Sequence, residues 1–290
     1  MILNNDLIEK MESSMKGLSK SHKLIAKFII DNYAQAAYMT ASELGNAVGI
    51  SESTVVRFAN EMGCEGYPEF QAQIRENVRT RLTSIERVDA ANEMLCEKDA
   101  LDLILTADAE RIRSTLHSID RDAFEKANEM VMNAENIYIL GMRASAVLAE
   151  YMRYYFSFLF DNVKHIRPAG GSEIFENLLN ITDKDVFISI SFPRYSTGIV
   201  NATEYASKMG AKVIALTDSR SSPILHYADV ALLAKGEMAS FADSLVAPMS
   251  VINAMIAYLG NRKKDELKKT LGKLEDVWRD YNVYTSFPTK

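Results

Sequence analysis

Short β-rich runs alternate with longer helix-forming segments from about residue 108 onward, and this alternation constrains the fold most. The runs are typical of buried strands because they are apolar and rich in β-branched residues. We predict strands at 136–140, 162–166, 185–191, 212–217 and 229–234, separated or flanked by helices at 108–133, 144–160, 172–180, 197–209, 243–260 and 263–281. Helical crossovers between strands imply a five-stranded parallel sheet with helices on both faces.

The N-terminal part is predicted to be all-α and contains two short helices joined by a tight turn, over Thr40–Gly63. Thr40 and Glu43 have the spacing of a capping box, which starts the first helix. Its apolar face is predicted to be Leu44, Ala47 and Val48, and Gly49 permits the turn. Inward-facing positions of the second helix are predicted at Val55, Phe58, Ala59 and Met62, with Ile50 filling the corner and Ser51 as N-cap. Two helices in residues 4–36 precede the motif, and a helix follows it in which Phe70 and Ile74 pack back.

This arrangement is typical of a DNA-binding helix-turn-helix. The second helix is predicted to present Ser51, Ser53, Thr54 and Arg57 at its outer N-terminal side, where a recognition helix meets bases and phosphates. Lys20 and Lys23 on a preceding helix are further candidate phosphate contacts for a double-stranded DNA operator. The alternatives are an αα-hairpin in a helical domain and a solvated lysine face.

Length and composition bound the organisation. The chain has 290 residues and a mass of 32.5 kDa, which suggests two domains. We predict a helix-turn-helix domain over 1–81, a helical linker over 82–107 and an α/β domain over 108–290 that includes the C-terminal helix. Apolar runs are too short for a membrane helix, and Cys64 and Cys96 form no paired framework, so we expect a cytoplasmic protein with reduced thiols.

The charge balance limits the kind of DNA binding that is expected. The net charge is −6, and residues 1–81 hold nine Lys and Arg against ten acidic residues. A non-specific nucleoid-type binder is disfavoured, because non-specific affinity comes from phosphate neutralisation. We therefore expect operator affinity to depend on dimerisation.

Hydroxyls and arginines follow the strands of the α/β part, where open parallel sheets bind ligands. Helix N-termini add free amides and a positive dipole end, so these turns form a candidate anion pocket that suits a phosphate. The candidate ligand residues are Arg143, Ser145, Ser189, Ser191, Arg194, Ser196 and Thr197. The alternatives are helix caps for the hydroxyls and structural carboxylate partners for the arginines.

At these residues the chain resembles RpiR/MurR-type bacterial transcription regulators, in which a helix-turn-helix domain precedes a sugar-isomerase (SIS) domain. The resemblance covers nearly all of residues 1–260. The matching segments are SELGNAVGISESTVVRFANEMGCEGYPEF, LGMRASAVLAEYM, DVFISISFPRYSTGIVNATEYASKMGAKVIALTDSRSSPI and FADSLVAPMSVINAMI. It implies a flavodoxin-like SIS sheet, a phosphorylated sugar or sugar acid as effector, and a homodimer or homotetramer.

Two turns depart from the family pattern. Arg143 and Ala144 stand where the first turn usually has a second glycine, although Ser145 matches. In the second turn, Ser189 and Ser191 match a Ser-x-Ser-Gly-x-Thr pattern, but Phe192–Arg194 replace its last three residues. An arginine at that place favours a doubly anionic ligand or a different acid.

An isomerase would need a general base near the sugar carbons. Candidates are available, but none stands in a distinguishing pattern: His165, Glu173, Glu176, His226 and Glu237. No metal-ligand spacing or cofactor motif is present in the sequence. We therefore expect a non-enzymatic, effector-controlled regulator, most simply a repressor of carbohydrate-metabolism genes. The alternative is a phosphosugar isomerase with an N-terminal assembly domain.

Overall fold

The computed structural model of this chain describes residues 7–81, 83–95, 99–167, 172–236 and 240–284. These residues divide into two compact units, and the division falls between Ala107 and Asp108. The segment 240–244 belongs to the first unit, although its flanking residues in the sequence belong to the second. Within the described ranges, no helix is both long and apolar enough to span a membrane.

The first unit begins with six helices. They are α1 (Leu7–Ser14), α2 (Lys20–Asp31), α3 (Tyr33–Ala36), α4 (Ala41–Val48), α5 (Glu52–Glu61) and α6 (Tyr67–Arg81). Their common core is fully buried and includes Ile25, Leu44, Phe58, Phe70 and Ile74. The predicted return of Phe70 and Ile74 to this core is confirmed.

Two expectations for this unit are wrong. Residues 4–36 are predicted to hold two helices, but the helix ends before the non-helical Asn32, and the short helix α3 follows. Residues 4–6 lie outside the described part of the chain. Ala47 was expected on the apolar face of α4, yet it is exposed, while Leu44 is fully buried and Val48 partly so. A helix of only two turns buries a narrow stripe, and Ala47 lies beside that stripe.

Helices also occupy most of the predicted linker, as α7 (Ser84–Leu95) and α8 (Ala100–Ser118). Within the first unit, Arg87 of α7 donates to both carboxylate oxygens of Asp243, at 3.1 and 3.0 Å, and both side chains are largely buried. This ion pair holds the 240–244 segment in the first unit, and sequence patterns did not predict it. The domain boundary at residue 81 remains a prediction, and Cys96 lies outside the described residues.

The second unit is an α/β sandwich whose sheet is entirely parallel in the order β2-β1-β3-β4-β5. After α8 come α9 (Arg121–Asn133), β1 (Ile137–Gly141), α10 (Ser145–Phe156), β2 (Val163–Ile166), α11 (Glu173–Leu178), β3 (Val186–Ile190), α12 (Thr197–Lys208), β4 (Lys212–Thr217), a 3-10 helix (Pro223–Tyr227), β5 (Val230–Leu233), α13 (Val246–Arg262) and α14 (Lys264–Asp280). This confirms the predicted five-stranded parallel sheet.

Alternation along the strands builds a separate apolar layer on each face. Ile139 and Ile188 point into the layer shared with α9, α10 and α13. Tyr138 and Phe187 point into the opposite layer, which is shared with α11 and α12. Burial on both faces explains why the strand sequences are continuously apolar.

The single helix predicted over 108–133 is wrong. The structure has α8 and α9 there, separated at Ile119 and Asp120. The Asp120 side chain accepts a hydrogen bond from the Ala123 amide at 3.0 Å, so it caps a new helix. An N-cap aspartate inside a periodic apolar pattern is easily taken for an ordinary surface residue.

Candidate functional site

The helix-turn-helix begins with the predicted capping box. The Glu43 amide donates to Thr40 Oγ1 at 3.2 Å, and the Thr40 amide donates to Glu43 Oε2 at 2.7 Å. These hydrogen bonds, led by the one from the Thr40 backbone, lower the pKa of Glu43. Gly49 ends α4 with a left-handed φ of 73°, as the turn requires.

Gly45 is a structural requirement of this motif that sequence reasoning missed. A Cβ at Gly45 would lie 2.6 Å from the Ile50 carbonyl oxygen, and the Ile50 amide donates to the Gly45 carbonyl at 2.8 Å. The turn therefore folds directly against α4, and this approach fixes the start of α5. A glycine in the second turn of a short amphipathic helix is the signal that could have revealed it.

The inward face of α5 is as predicted, because Val55, Phe58, Ala59 and Met62 are all buried. The capping interaction differs from the expectation. Ser51 occupies the N-cap position but its side chain makes no N-cap hydrogen bond.

The outer N-terminal side of α5 carries a small polar network. Ser51 Oγ lies 3.1 Å from Ser53 Oγ and 2.8 Å from Thr54 Oγ1, and Arg57 Nη2 donates to Thr54 Oγ1 at 3.1 Å. Ser51, Ser53 and Arg57 are exposed, and Thr54 is half-buried. The network orients the Arg57 guanidinium along the exposed face, where it is accessible to an anionic partner.

Helix α2 places Lys20 and Lys23 on an exposed surface, and it is tied to α5. His22 Nδ1 lies 2.5 Å from Glu61 Oε2, and the His22 ring meets Phe58 edge to face at 5.4 Å between centroids. The lysines therefore lie on a helix that is fixed to the candidate recognition helix.

In the second unit, the chain order reverses between β1 and β3, so the switch point lies at their carboxyl ends. Three segments follow the strands at this edge, 141–145, 191–197 and 217–222, and we call them the carboxyl-edge turns.

The first turn is tight because a Cβ at Gly141 would collide with the Ser145 carbonyl. Arg143 is exposed and has a left-handed φ of 55°. Ser145 is buried at the first residue of α10. The backbone thus adopts a glycine-like conformation at an exposed arginine, two residues before the start of α10.

Ser189, near the end of β3, and Ser191, at the start of the second turn, have different environments. Ser189 is fully buried, and its Oγ lies 2.8 Å from Thr203 Oγ1, which donates to the Ile199 carbonyl. Ser191 is 2% exposed, and no described residue hydrogen-bonds to its Oγ. The Ser189 hydroxyl therefore holds α12 against β3, whereas that of Ser191 is available.

The remainder of the second turn leads into α12. Ser196 is its N-cap residue without a side-chain cap, and its hydroxyl lies 3.5 Å from Met142 Sδ of the first turn. Thr197 and Arg194 are exposed. The first and second turns therefore meet, and they bring hydroxyls, two helix N-termini and the arginines to one edge.

The third turn contributes groups that sequence reasoning did not select. Thr217 Oγ1 donates to the Ser191 carbonyl at 2.6 Å and lies 2.8 Å from Ser222 Oγ. The Tyr195 hydroxyl donates to Asp218 Oδ1 at 2.9 Å. These bonds hold the second and third turns together, and they are tertiary contacts that no local pattern reveals.

One candidate general base, His165, lies in an ionic cluster. Its Nδ1 is 3.0 Å from Glu150 Oε2, and Arg153 and Arg167 donate to the same carboxylate at 2.8 and 2.6 Å. Hydrogen bonds from Arg153 and then Arg167 lower the pKa of Glu150 to about 2, and burial lowers the pKa of His165. Glu173 is partly buried and Glu176 and His226 are exposed, while Glu237 lies outside the described residues. Among the described residues, no group of three or more His, Cys, Asp or Glu could hold a metal.

Two family models match the chain. The model of the helix-turn-helix domain of the rpiR family matches residues 5–81, and the SIS domain model matches residues 130–258. Together the matched segments cover more than half of the chain. The first match lies within the first unit, and the second lies mostly within the second unit.

Related proteins of known sequence are named as regulators. An HTH-type transcriptional regulator of Haemophilus influenzae is 25% identical over 96% of this chain and 98% of its own length. The regulator HexR of Escherichia coli is 26% identical over 78% of this chain and 77% of its own length.

Solved structures give the same architecture. The sugar isomerase domain of an RpiR transcription factor from Sphaerobacter thermophilus has a TM-score of 0.57 at 27% identity, over 60% of this chain and 96% of that chain. The Vibrio vulnificus NanR protein, solved with ManNAc-6P, has a TM-score of 0.59 at 21% identity, over 95% of this chain and 98% of that chain. The chain belongs to the RpiR family of helix-turn-helix transcription regulators that carry a SIS domain.

Proposed function

We propose that this regulator binds a double-stranded operator through the N-terminal side of α5, with Ser51, Ser53, Thr54 and Arg57 in the major groove. The observation that carries the proposal is the exposed Arg57, which the Thr54 hydroxyl orients on a helix whose other face is buried. An arginine can read a guanine or bind a phosphate. Lys20 and Lys23 supply backbone contacts from α2.

The effector in this proposal is a phosphorylated sugar or sugar acid bound at the carboxyl-edge turns. Support comes from the edge itself, where the N-termini of α10 and α12 provide amides for an anion. The contacting side chains are Arg143, Ser145, Ser191, Arg194, Ser196 and Thr197. Ser189 acts in this scheme through its support of α12, since its hydroxyl already contacts Thr203.

The proposed regulation is repression of carbohydrate-metabolism genes by a homodimer, or by a homotetramer of such dimers. Two recognition helices must lie about 34 Å apart to enter successive major grooves. An effector that binds one arrangement of the two helix-turn-helix domains more tightly shifts the population toward it and changes operator affinity.

Operator binding is tested with DNA selected from a random-sequence pool by the full-length protein. Arg57→Ala is expected to weaken binding of the selected sequence by roughly 5- to 150-fold, the range for one specific arginine contact. Arg113→Ala removes another exposed arginine, on α8, and is the matched control. Equal affinities for both variants would contradict the assignment of α5.

Effector binding is tested by thermal shift with a panel of sugar phosphates and phosphorylated sugar acids that includes ManNAc-6P. A ligand at 100 times its dissociation constant should stabilise the protein by about 2.7 kcal/mol. Ser191→Ala should reduce this shift, whereas Ser157→Ala, on the exposed end of α10, should not. A panel without any shift would remove the phosphosugar assignment.

The isomerase alternative predicts turnover of the same ligands. The candidate base His165 lies 3.0 Å from Glu150 Oε2, and two arginines donate to the same carboxylate, so this imidazole is held in an ionic cluster, which supports a sensor rather than an enzyme. Each ligand that shifts the melting temperature should be recovered unchanged after long incubation. Conversion that survives in Arg57→Ala would favour the isomerase.

A further inference from the structure

The C-terminal helix α14 carries an apolar stripe with the spacing of a coiled coil. Its members recur at intervals of four and three residues: Leu267, Leu271, Leu274, Trp278 and Tyr281. Such spacing keeps one seam on one side of the helix over two heptads. Yet no residue of α14 is buried.

The stripe is partly covered along its length, because Leu267, Leu271, Leu274 and Trp278 all have intermediate exposure. Leu267 packs against the apolar layer of α9, α10 and α13. Near the end of the helix, Val277 beside the stripe is 49% and Tyr281 is 78% exposed, and the Trp278 ring meets the Tyr284 ring at 5.2 Å between centroids. A stripe of this size in water is a typical association surface.

We propose that α14 pairs with α14 of a second copy of this chain in an antiparallel arrangement. Layers then form between Leu271 and the partner's Leu274, and between Leu267 and the partner's Trp278. Each layer occurs twice because the arrangement is two-fold symmetric. The pairing rests on the dimeric regulator proposed above and supplies it with an interface.

Charge complementarity selects the antiparallel direction. Lys268 and Glu275 are exposed and flank the stripe on the same side, at equivalent heptad positions. Antiparallel pairing brings Lys268 close to the partner's Glu275, again twice. Parallel pairing would instead place Glu275 opposite the partner's Thr270, and this attraction would be lost.

Folding of α14 precedes the pairing and reduces its cost. Helices in proteins gain most of their stability from tertiary packing of an amphipathic face. Here α14 is already attached to the α/β unit through Leu267, and Lys263 at its start lies over the Phe160 ring at 4.7 Å. Two such preformed helices lose little further conformational freedom when they associate.

A charge-reversal series on the full-length protein tests the pairing, with mass measured by sedimentation equilibrium. Lys268→Glu replaces two attractive contacts by two repulsive ones and should raise the dissociation constant roughly tenfold. The double variant Lys268→Glu/Glu275→Lys should restore the wild-type constant. Lys269→Glu changes the net charge equally on the adjacent exposed position and should have no effect.

An apolar variant provides an independent test. Leu274→Glu should halve the assembly mass, whereas Leu179→Glu, at a 70% exposed leucine outside α14, should not. Circular dichroism checks that both variants are folded. An unchanged mass for Leu274→Glu, or a double charge reversal that fails to rescue, would overturn the pairing.

The outcomes also separate this inference from the proposed function. If Arg57→Ala abolishes operator binding while Leu274→Glu leaves the mass unchanged, only the interface is wrong. If charge rescue succeeds while Arg57→Ala binds DNA normally, only the operator-binding assignment is wrong.

Discussion

At the scale of single residues, Arg143 combines a backbone requirement with a functional charge. Its φ of 55° lies in the left-handed region that glycine adopts without penalty, and an L-residue pays roughly 1–2 kcal/mol there. The arginine is therefore accommodated at a cost in stability, which is consistent with a binding role for the guanidinium.

Arg143→Gly and Arg143→Ala separate the two effects. Both remove the charge, so both should weaken effector binding by a similar factor. Only glycine relieves the left-handed strain, so Arg143→Gly should be more stable than Arg143→Ala by about 1 kcal/mol in urea unfolding. Equal stability of the variants would show that the turn imposes no strain, and full effector affinity would exclude Arg143 from the site.

Residue types at the carboxyl-edge turns could be predicted from the sequence, but their individual roles could not. Ser189 and Ser191 stand in one sequence pattern. In the structure, however, the Ser189 hydroxyl is hydrogen-bonded to Thr203, whereas no described residue hydrogen-bonds to the Ser191 hydroxyl. The difference arises because Ser189 lies within β3, opposite Thr203 of α12, whereas Ser191 follows the end of the strand. Those are tertiary facts, as is the contact of Tyr195 with Asp218.

At the scale of elements, the close approach of α4 and the turn before α5 depends on Gly45. Gly45→Ala would place a Cβ 2.6 Å from the Ile50 carbonyl and should destabilise the first unit by about 1–3 kcal/mol through overpacking. It should also weaken operator binding, because α5 must move.

Gly272→Ala is the matched control for this substitution. Gly272 lies within α14 and a Cβ there meets nothing within 4 Å. Higher helix propensity should stabilise this variant by roughly 0.5–1 kcal/mol. Differential scanning calorimetry reports both changes, and a Gly45→Ala protein as stable as Gly272→Ala would refute the close-approach argument.

The Glu150 cluster joins α10 to the end of β2 and should make stability depend on pH. The pKa of Glu150 in the folded protein, about 2, lies below the ordinary value of 4.5. The stability that this carboxylate contributes is therefore present above pH 4.5 and is lost as the pH falls toward 2. Urea midpoints of wild type should exceed those of Glu150→Gln at pH 7, and the gap should close across this window.

Glu110→Gln is the control for the loss of one carboxylate. Glu110 is 69% exposed and pairs only locally, with Arg113 three residues later. The urea midpoint of Glu110→Gln at pH 7 should differ little from that of wild type, since exposed ion pairs contribute little to stability. A Glu150→Gln curve parallel to wild type down to pH 2 would contradict the proposed role of the cluster.

Elements with local signals were predicted well, and those set by distant contacts were not. The capping box at Thr40 and the left-handed Gly49 depend on neighbours within a few residues. The break at Asp120 has a local signal that competes with a stronger apolar periodicity. The placement of 240–244 in the first unit depends on Arg87, which is 156 residues away from Asp243 in the sequence.

At the scale of the whole molecule, the proposed regulator has two binding activities on two compact units. Arg57→Ala should lower operator affinity and leave the effector dissociation constant of the free protein unchanged. Ser191→Ala should do the reverse. Fluorescence anisotropy with a labelled operator and calorimetry with the effector measure the two constants separately. A variant that loses both activities would indicate unfolding rather than a site effect.

Linkage between these activities is reciprocal, and this gives a quantitative prediction. Coupled sites typically interact by 1–3 kcal/mol, so saturating effector should change operator affinity by roughly 5- to 150-fold. Saturating operator DNA must then change effector affinity by the same factor, because the free, DNA-bound, effector-bound and doubly bound protein form one thermodynamic cycle. An effector that binds but leaves operator affinity unchanged would show that the SIS unit does not control DNA binding. Unequal factors would reveal a further equilibrium, such as a change of assembly, which sedimentation equilibrium with and without operator would detect.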